Sequence, residues 1–280
     1  MDSIQPVRVR AVEGAGQTER EDALAVEEPL EIRLRDAEAG EVRTFAITMR
    51  TPGQDEALAA GLLFAEGVLA SRDDLLDLSR PSDPRIDPEL AANVLVATLS
   101  PQASGRAEKL RRGTVIGSAC GVCGKTSIEN VIPSDRPPLV SGLDVRPETL
   151  YALPGRLRER QSIFSRTGGL HAGALFDGSG MIGAIAEDIG RHNATDKLVG
   201  GAFLSGELPL DGRILMVSGR AGFEIVQKAF AAGIPIVASV SAPSSLAVEL
   251  ADAGGVTLVG FLRGERFNVY THANRIRAND

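Results

Sequence analysis

Apolar and polar residues alternate with a period of two in two short segments near the start of the chain. The segments cover residues 30–34 and 42–48 and flank a turn rich in small and charged residues, which predicts a half-buried β-hairpin. Acidic residues then open the segment 55–67, in which apolar residues recur at helical spacing. Residues 93–99 are typical of another strand. The pattern therefore predicts a small α+β unit over residues 26–112.

From about residue 147 the pattern changes to apolar strands that alternate with amphipathic helices. Strands at 172–176 and 181–186 are predicted around a glycine-rich turn, and a helix at 191–204 follows them. This alternation is typical of a layered α/β core with helices on both faces of the sheet. The rest of the core is predicted as strands at 213–217, 234–240 and 256–261, helices at 223–232 and 245–252, and an extended segment at 267–271.

The two units are joined by a stretch that is rich in glycine and then in proline, the residues that most often interrupt regular structure. No internal repeat accompanies this division. We expect a flexible N-terminus at 1–25, the small α+β domain at 26–112, a mobile loop and proline-rich connection at 113–146, the α/β core at 147–274 and a tail at 275–280.

The composition is that of an ordinary globular protein, with 280 residues of which 43% are hydrophobic and 24% charged. The net charge of -7 argues against a general nucleic-acid binder and leaves room for a local site for an anionic ligand. The N-terminus lacks the apolar run of a signal peptide, and glycine and prolines interrupt the uncharged stretch 229–248, so no membrane helix is predicted. We expect a cytoplasmic protein with reduced thiols.

Both cysteines of the chain lie in one glycine-bracketed run, Cys120-Gly121-Val122-Cys123-Gly124. Their small neighbours indicate a loop in which the thiols can be reached. The basic residues Arg111, Arg112 and Lys125 lie on either side and would favour the thiolate form, which is the reactive one. The run is therefore a candidate for thiol chemistry.

Four interpretations of the cysteine pair are open. As a zinc site it supplies half of a tetrahedral shell, which His171 and His192 would have to complete although they form no second short pair. A dithiol oxidoreductase motif should follow a strand and open a helix, whereas glycines surround this one. A sulfur carrier would accept the outer sulfur of a persulfide and pass it on, and a flexible loop suits that task. The fourth interpretation is an inert pair of loop cysteines.

Three loops that follow predicted strands have the composition of an anion site. The ends of parallel strands gather free backbone amides and helix N-termini at one edge of a sheet. Glycine and serine allow close approach of a phosphate, and arginine neutralises it, so we interpret the loops as a nucleotide or pyrophosphate site. The alternative is that each loop is an ordinary turn. The loops are 218–222 with Arg220, 241–245, and 261–266 with Arg263 and Arg266.

Ionisable residues are dense between residues 187 and 197, where a predicted strand meets a predicted helix. His192 lies four residues from both Asp188 and Asp196, so in helical geometry its imidazole can contact one of these carboxylates. Such a contact suits a proton relay or an anion site. The alternative is a helix N-terminus capped by Asp188 with incidental charges around it. His171, at the mouth of a strand, is by itself more typical of a structural histidine.

Taken in order along the chain, these motifs resemble the formate dehydrogenase accessory sulfurtransferase family (FdhD). The likeness runs from about Glu28 to Asn274, with a departure in the residue order of the loop 261–266. The motifs that carry it are Cys120-Gly121-Val122-Cys123-Gly124, Thr167-Gly168-Gly169-Leu170-His171-Ala172, the run Glu-Asp-Ile-Gly-Arg-His-Asn-Ala-Thr-Asp-Lys at 187–197, Ser218-Gly219-Arg220, and Tyr270-Thr271-His272.

The resemblance implies a three-layer α/β/α core of the cytidine-deaminase-like fold, without deaminase chemistry because the zinc signature of that fold is missing. It implies a homodimeric sulfurtransferase that relays sulfur from a cysteine desulfurase to the molybdenum or tungsten bis(molybdopterin guanine dinucleotide) cofactor of formate dehydrogenase. Cys120 would carry the persulfide, and Cys123 would tune it or assist release. Guanine nucleotides are expected to fit the site of the cofactor.

The candidate residues are two catalytic cysteines and a cofactor-binding set, with no metal ligands. The alternative functions are a cofactor-binding chaperone without sulfur transfer and a thiol oxidoreductase. The catalytic pair is Cys120 and Cys123. The cofactor-binding set is His171, Arg191, His192, Ser218, Gly219, Arg220, Phe261, Leu262, Arg263, Gly264, Glu265 and Arg266.

Overall fold

The structure is a computed structural model that describes residues 2–82, 87–112 and 137–277. Its first half contains β1 (Ile4–Glu13), β2 (Gly16–Ala25), β3 (Glu28–Asp36), β4 (Val42–Arg50), α1 (Asp55–Ala65), β5 (Leu75–Ser79), α2 (Pro88–Ala92), β6 (Val94–Leu99) and α3 (Pro101–Arg112). A four-stranded sheet has the order β4-β3-β6-β5, in which β3 and β6 are parallel and the outer pairs are antiparallel. The strands β1 and β2 form a separate antiparallel hairpin.

The predicted hairpin of β3 and β4, the helix α1 and the strand β6 are confirmed. The expectation of a flexible N-terminus is corrected, because residues 4–25 form the β1–β2 hairpin. Its signal in the sequence is the alternation of half-buried Val7, Val9 and Ala11 with exposed residues, which has the period of two that strands show. The strand β5 and the helix α3 were also not predicted.

The second half of the chain builds a six-stranded sheet. Its elements are α4 (Pro147–Arg160), α5 (Ser162–Thr167), β7 (His171–Phe176), β8 (Ile182–Asp188), α6 (Arg191–Leu204), β9 (Ile214–Val217), α7 (Phe223–Ala231), β10 (Ile236–Ser239), α8 (Ser245–Ala253), β11 (Thr257–Arg263) and β12 (Arg266–Thr271). The strand order is β12-β11-β10-β9-β7-β8, with β9, β10 and β11 parallel. In the described part of the chain, no helix is long and apolar enough to cross a membrane.

Helices cover both faces of this sheet, as the sequence predicted. Ala174 and Phe176 of β7 pack on the face that α4 covers with its leucines, whereas Leu175 packs on the other face with α6, α7 and α8. Successive strand residues point to opposite faces, which is why the inner strands β7, β9, β10 and β11 have apolar residues on both sides. The mixed α/β class is therefore confirmed.

The helices α1 and α6 cross at unusually short distance. A Cβ atom at Gly61 would lie 2.0 Å from the backbone oxygen of Asp196, and one at Gly200 would lie 1.8 Å from that of Ala57. Glycine is therefore required at both positions, because any side chain would overlap the backbone of the other helix. Through this contact, α1 and the four-stranded sheet share one continuous apolar core with α6, α7 and α8.

A methyl group at Gly200 should destabilise the protein, whereas one at Gly201 should not. Gly200→Ala places Cβ against a backbone carbonyl that cannot rotate away, so we expect the free energy of unfolding to fall by about 2–3 kcal/mol. Gly201 lies on the same helix but has no heavy atom within 4 Å of its Cβ position. Gly201→Ala should be neutral or stabilise by up to about 1 kcal/mol. Urea denaturation measures both, and equal effects would contradict the packing.

Candidate functional site

One edge of the six-stranded sheet gathers ends of all six strands. The strands β8, β9, β10 and β11 end there, and β7 and β12 begin there because each is antiparallel to its neighbours. His171, the first residue of β7, pairs with Asp188, the last residue of β8. The loop 218–222 follows β9 at the same edge, and α6 starts at Arg191 close to the end of β8. The fold thus brings together segments that the sequence spaces widely.

The loop after β9 lies directly against His171 and Arg191. The backbone N–H of Ser218 donates to the carbonyl of Ala172 (2.9 Å), and the Ser218 hydroxyl accepts from the Ala172 N–H (2.9 Å). A Cβ at Gly219 would lie 3.4 Å from Nδ1 of His171 and 3.7 Å from Cδ of Arg191. Within the described chain, the buried Nε of Arg191 has no hydrogen-bond partner. Glycine therefore keeps space open beside an unsatisfied guanidinium donor, an arrangement that fits an anionic group.

His192 contacts neither of the two aspartates that the sequence suggested, which corrects that expectation. Its Nδ1 lies 3.2 Å from Oε2 of Glu224, in the first turn of α7. Asp188 ends β8 before the helix starts, so its spacing of four from His192 is not helical. Asp196 does share α6 with His192, but its carboxylate lies 2.6 Å from Nζ of Lys228 on α7. The partners of His192 and Asp196 thus come from the neighbouring helix α7.

Both histidines at this edge are neutral at pH 7. Burial lowers the pKa of His192 to about 4, even though the carboxylate of Glu224 acts to raise it; the charges of Arg191 and Lys228 lower it further. Burial also lowers the pKa of His171, with a smaller contribution from Arg191. The imidazoles therefore offer hydrogen-bond donors and acceptors here, while the arginine supplies the positive charge.

Asp188 and Lys197 form a buried ion pair that joins β8, α6 and the residue after β4. Nζ of Lys197 lies 2.7 Å from Oδ2 of Asp188 and donates to the carbonyl of Thr51 (2.9 Å). The other carboxylate oxygen of Asp188 accepts from the backbone of Gly190 and from the side chain of Asn193, each at 2.9 Å. All hydrogen-bonding capacity of Asp188 is directed inward, so its role is to hold the start of α6 in place.

Asp196 and Lys228 form a second buried pair, between α6 and α7. Burial raises the pKa of Asp196 to about 6, against the opposing effect of Lys228. Burial acts to lower the pKa of Lys228, but the carboxylate of Asp196 outweighs it and the pKa rises. Both groups therefore remain ionised at pH 7, and the pair ties the two helices together beneath the site.

The predicted loop 261–266 is the tight hairpin that joins β11 to β12. The turn passes through Gly264, whose φ of +54° is easily adopted by glycine. The side chain of Leu262 is fully buried in the core facing α4, so only its backbone is available to a ligand, and its predicted place in the cofactor site stays a prediction. Glu265 is exposed at the turn. A groove of about 330 Å³ on this hairpin is lined by Phe261, Arg263, Arg266, Phe267 and Asn268.

A row of four arginines follows the edge of the sheet. Arg191 lies after β8, Arg220 is exposed in the loop after β9, and Arg263 and Arg266 flank the β11–β12 turn. Nε of Arg263 donates to the carbonyl of Val240 (2.9 Å), which anchors its stem to the loop after β10. Because the protein as a whole carries a net charge of -7, this row is a local feature and not part of a generally basic surface.

A cleft of about 570 Å³ opens beside His171, between α4, α5 and the start of β7. Its residues from α4 and α5 were not predicted, because Pro154 and a glycine interrupt the helical pattern of α4 and α5 has only six residues. The signal that could have found α4 is the spacing of Leu150, Leu153 and Leu157. The cleft is lined by Arg158, Gln161, Phe164, His171, Ser218 and the residues 168–170.

The predicted catalytic residues Cys120 and Cys123 lie in the segment 113–136, outside the described residues. The structure describes the chain on either side of this segment: α3 ends at Arg112, and the chain beyond it joins the second unit where the Leu139 N–H donates to the carbonyl of Gly254 (2.8 Å). Among the residues that are described, no three metal-ligating side chains come together.

These features define a mixed α/β protein in which one edge of a six-stranded sheet carries a row of arginines and two neutral histidines. The sequence profile of the FdhD/NarQ family matches residues 25–277. The chain therefore belongs to the FdhD/NarQ family. The resemblance inferred from the motifs is thus confirmed.

Relatives from distant organisms cover nearly the whole chain. Proteins named sulfur carrier protein FdhD are 49% identical in Streptomyces coelicolor (96% of this chain, 93% of theirs), 48% in Mycobacterium tuberculosis (96% and 97%) and 43% in Saccharolobus solfataricus (91% and 91%). A crystal structure from Desulfotalea psychrophila, described as a formate dehydrogenase accessory protein, superimposes with a TM-score of 0.72 at 22% identity and covers 99% of this chain and 100% of its own. At that identity the likeness shows the fold alone.

Removing one partner of the Asp188–Lys197 pair should cost far more stability than removing both. Lys197→Met leaves a buried carboxylate without its cation, which we expect to lower the free energy of unfolding by about 3–5 kcal/mol. Adding Asp188→Asn removes that charge and keeps an oxygen that can accept from Gly190, so the double variant should recover part of the loss. Denaturation of both single variants and the double variant measures the coupling. A double variant less stable than Lys197→Met would contradict this role.

His192 should titrate near pH 4 in the folded protein. Its folded pKa lies below the ordinary value of 6.5, so this group destabilises the native state as pH falls from about 6.5 towards 4 and has no effect above that window. Because Glu224 raises the pKa of His192, Glu224→Gln should lower it further. NMR titration of the imidazole resonances measures both values. A His192 pKa at or above 6.5 would rule out the buried site described.

Proposed function

We propose that this chain is a sulfur carrier that serves the maturation of formate dehydrogenase. The observation that carries the proposal is the glycine-bracketed pair Cys120 and Cys123 in a member of the FdhD/NarQ family. The names of the relatives from Streptomyces coelicolor and Mycobacterium tuberculosis support it. A pair of thiols in a glycine-rich segment suits a group that must visit a donor protein and then an acceptor.

Sulfur enters as a persulfide on Cys120. The Cys120 thiolate attacks the outer sulfur of a persulfide on a cysteine desulfurase, so that a new S–S bond forms on Cys120 and the donor cysteine leaves as a thiolate. A free thiol with a pKa near ~8.5 is only slightly ionised at neutral pH, so basic neighbours such as Lys125 would favour the reactive form.

Cys123 assists the release of sulfur. Attack of its thiolate on Sγ of Cys120 forms a disulfide between the two residues and expels the outer sulfur as sulfide. A thiol reductant then restores both cysteines, which balances the two electrons that the sulfide carries away. The spacing of three residues in the Cys-x-x-Cys run is compatible with such a disulfide.

The acceptor is a molybdenum or tungsten bis(molybdopterin guanine dinucleotide), which is the substrate of the transfer. Its pyrophosphates are anionic, and the edge of the six-stranded sheet offers Arg191, Arg220, Arg263 and Arg266 to them. The fit is supported by Nε of Arg191, which has no hydrogen-bond partner among the described residues, and by the space that Gly219 keeps open beside it. Guanine nucleotides should occupy the same edge.

We further propose a cytoplasmic homodimer that acts between a cysteine desulfurase and formate dehydrogenase.

Incubation with a cysteine desulfurase and cysteine should place one extra sulfur atom on Cys120. Mass mapping of the peptide that contains both cysteines measures it, with a reaction lacking the desulfurase as the control. Cys120→Ser should abolish loading, because it removes the nucleophile. Cys123→Ser is the matched variant and should keep the persulfide, since it removes only the residue proposed to release it.

Three outcomes would contradict this assignment. Extra sulfur on Cys123 and none on Cys120 would reverse the roles of the two thiols. A reversible Cys120–Cys123 disulfide without sulfur transfer would favour a thiol oxidoreductase. Active formate dehydrogenase in cells that carry only Cys120→Ala would favour a chaperone that binds the cofactor without supplying sulfur.

A further inference from the structure

The helix α5 forms one wall of the cleft beside His171, although it has no place in the apolar core. None of its six residues, Ser162–Thr167, is buried. An element without buried apolar contacts is among the first to open locally. Phe164 of this helix nevertheless lines the cleft together with His171 and Ser218. Contacts other than core packing therefore have to hold α5 in place.

The carboxylate of Glu187 caps α5 from the strand β8. Its Oε2 accepts from the backbone N–H of Ile163 (3.0 Å), and its Oε1 accepts from that of Phe164 (2.8 Å). The first amides of a helix have no partners within the helix, and the side chain of the residue just before the helix commonly accepts from them. In α5 that residue is Gln161, whose side chain makes no such bond. The cap is supplied instead by a residue 23 positions from Phe164.

Glu187 is itself held in the six-stranded sheet. It pairs with Ala172 of β7, and its backbone carbonyl accepts from Nζ of Lys197 (3.3 Å). The next residue, Asp188, forms the buried ion pair with the same lysine. Because successive residues of a strand point to opposite faces, Glu187 faces α5 while Asp188 faces α6. Two adjacent carboxylates of β8 thus hold the starts of two helices.

A short connection links the position of α5 to the candidate site. The helix ends at Gly168, whose φ of +68° is left-handed and whose N–H donates to the carbonyl of Phe164 (2.7 Å). Only the residues 168–170 lie between α5 and His171. On its other side, the ring of Phe164 lies 4.1 Å from the guanidinium carbon of Arg158. A shift of α5 would therefore move Phe164 and the turn before His171 together.

We propose that Glu187 is a positioning residue of the acceptor site, which holds the α5 wall of the cleft in place and touches no ligand itself. Both of its carboxylate oxygens are directed to α5. A site whose wall is in place for only a fraction of the time binds its ligand more weakly by that fraction. The inference rests on the proposed function for the ligand, which is an anionic guanine nucleotide; the cap on α5 does not depend on it.

Amide exchange followed by NMR in the full-length protein tests the cap. In Glu187→Ala the backbone N–H groups of Ile163 and Phe164 lose their acceptor and should exchange at least about tenfold faster. In Glu187→Gln one side-chain oxygen can still accept, so exchange should rise less. The amides of Leu153 and Leu157, which are buried in α4, should not change in either variant. Unchanged exchange at Ile163 and Phe164 in Glu187→Ala would overturn the proposal.

Calorimetry with GDP, which carries a guanine and a pyrophosphate, tests the effect on the site. Glu187→Ala removes a negative charge close to a site for an anion, which by itself would strengthen binding. Release of the α5 wall should instead weaken GDP binding about tenfold, and Glu187→Gln should weaken it less. Glu159→Ala removes an exposed carboxylate of α4 and is the matched control, which should not weaken GDP binding. The sign of the change thus distinguishes position from charge.

Thermal unfolding separates a local effect from a loss of the fold. Because α5 buries no residue, Glu187→Ala should lower the melting temperature by only about 2–4 °C. A much larger fall would mean that Glu187 supports the core, and it would contradict the proposal.

The two measurements also separate this proposal from the function on which it rests. Equal or tighter GDP binding by Glu187→Ala, with fast exchange at Ile163 and Phe164, would overturn the positioning role and leave the proposed acceptor intact. If the wild type binds no GDP but exchange follows the expected pattern, the proposed acceptor fails and Glu187 still holds the wall of the cleft.

Discussion

The close contact between α1 and α6 is the constraint on which the rest of the structure depends. The backbone at Gly61 lies against the carbonyl of Asp196, and that at Gly200 against the carbonyl of Ala57. Because no side chain separates the helices at these points, the four-stranded sheet that packs on α1 is drawn onto the core of the six-stranded sheet, and both contribute to one apolar cluster. Since α6 begins at Arg191, the same contact fixes the position of the candidate site.

Most of the charges around the start of α6 serve this arrangement and not a ligand. Asp188 and Asp196 are each buried against a lysine, and a buried ion pair is sensitive to the loss of either partner. His192 and Asp196 are four apart on α6, and they face Glu224 and Lys228, which are four apart on α7. Arg191 differs from these charged residues of α6 and its neighbours. Its buried Nε has no hydrogen-bond partner in the described part of the chain.

Helices and strands were predicted well where one hydrophobic period continued along the whole segment. Side-chain partners were predicted poorly wherever the partner lay on another helix or strand. The strands of the α/β core and the helix at 191–204 were predicted close to their observed ends, because apolar runs between glycines are clear signals. The spacing of His192 and Asp196 correctly indicated a shared helix face, but Glu224 lies 32 positions from His192 and no local pattern points to it. Gln161 was missed because a proline interrupts the helix before it. Leu262 was placed in a loop because the strand β11 continues further than its apolar run suggested.

The edge that we propose for the anionic acceptor must also release it, and the electrostatics of the edge are compatible with release. Two protonated imidazoles beside Arg191 would add charge wherever a pyrophosphate binds and would strengthen its retention. Burial instead lowers the pKa of His171 and His192, so at neutral pH they contribute hydrogen bonds without charge. The positive charge then comes from arginines that are spread along the edge and mostly exposed, where solvent and salt screen it. An edge of this kind would hold the proposed anion through several weak contacts that can be exchanged one at a time.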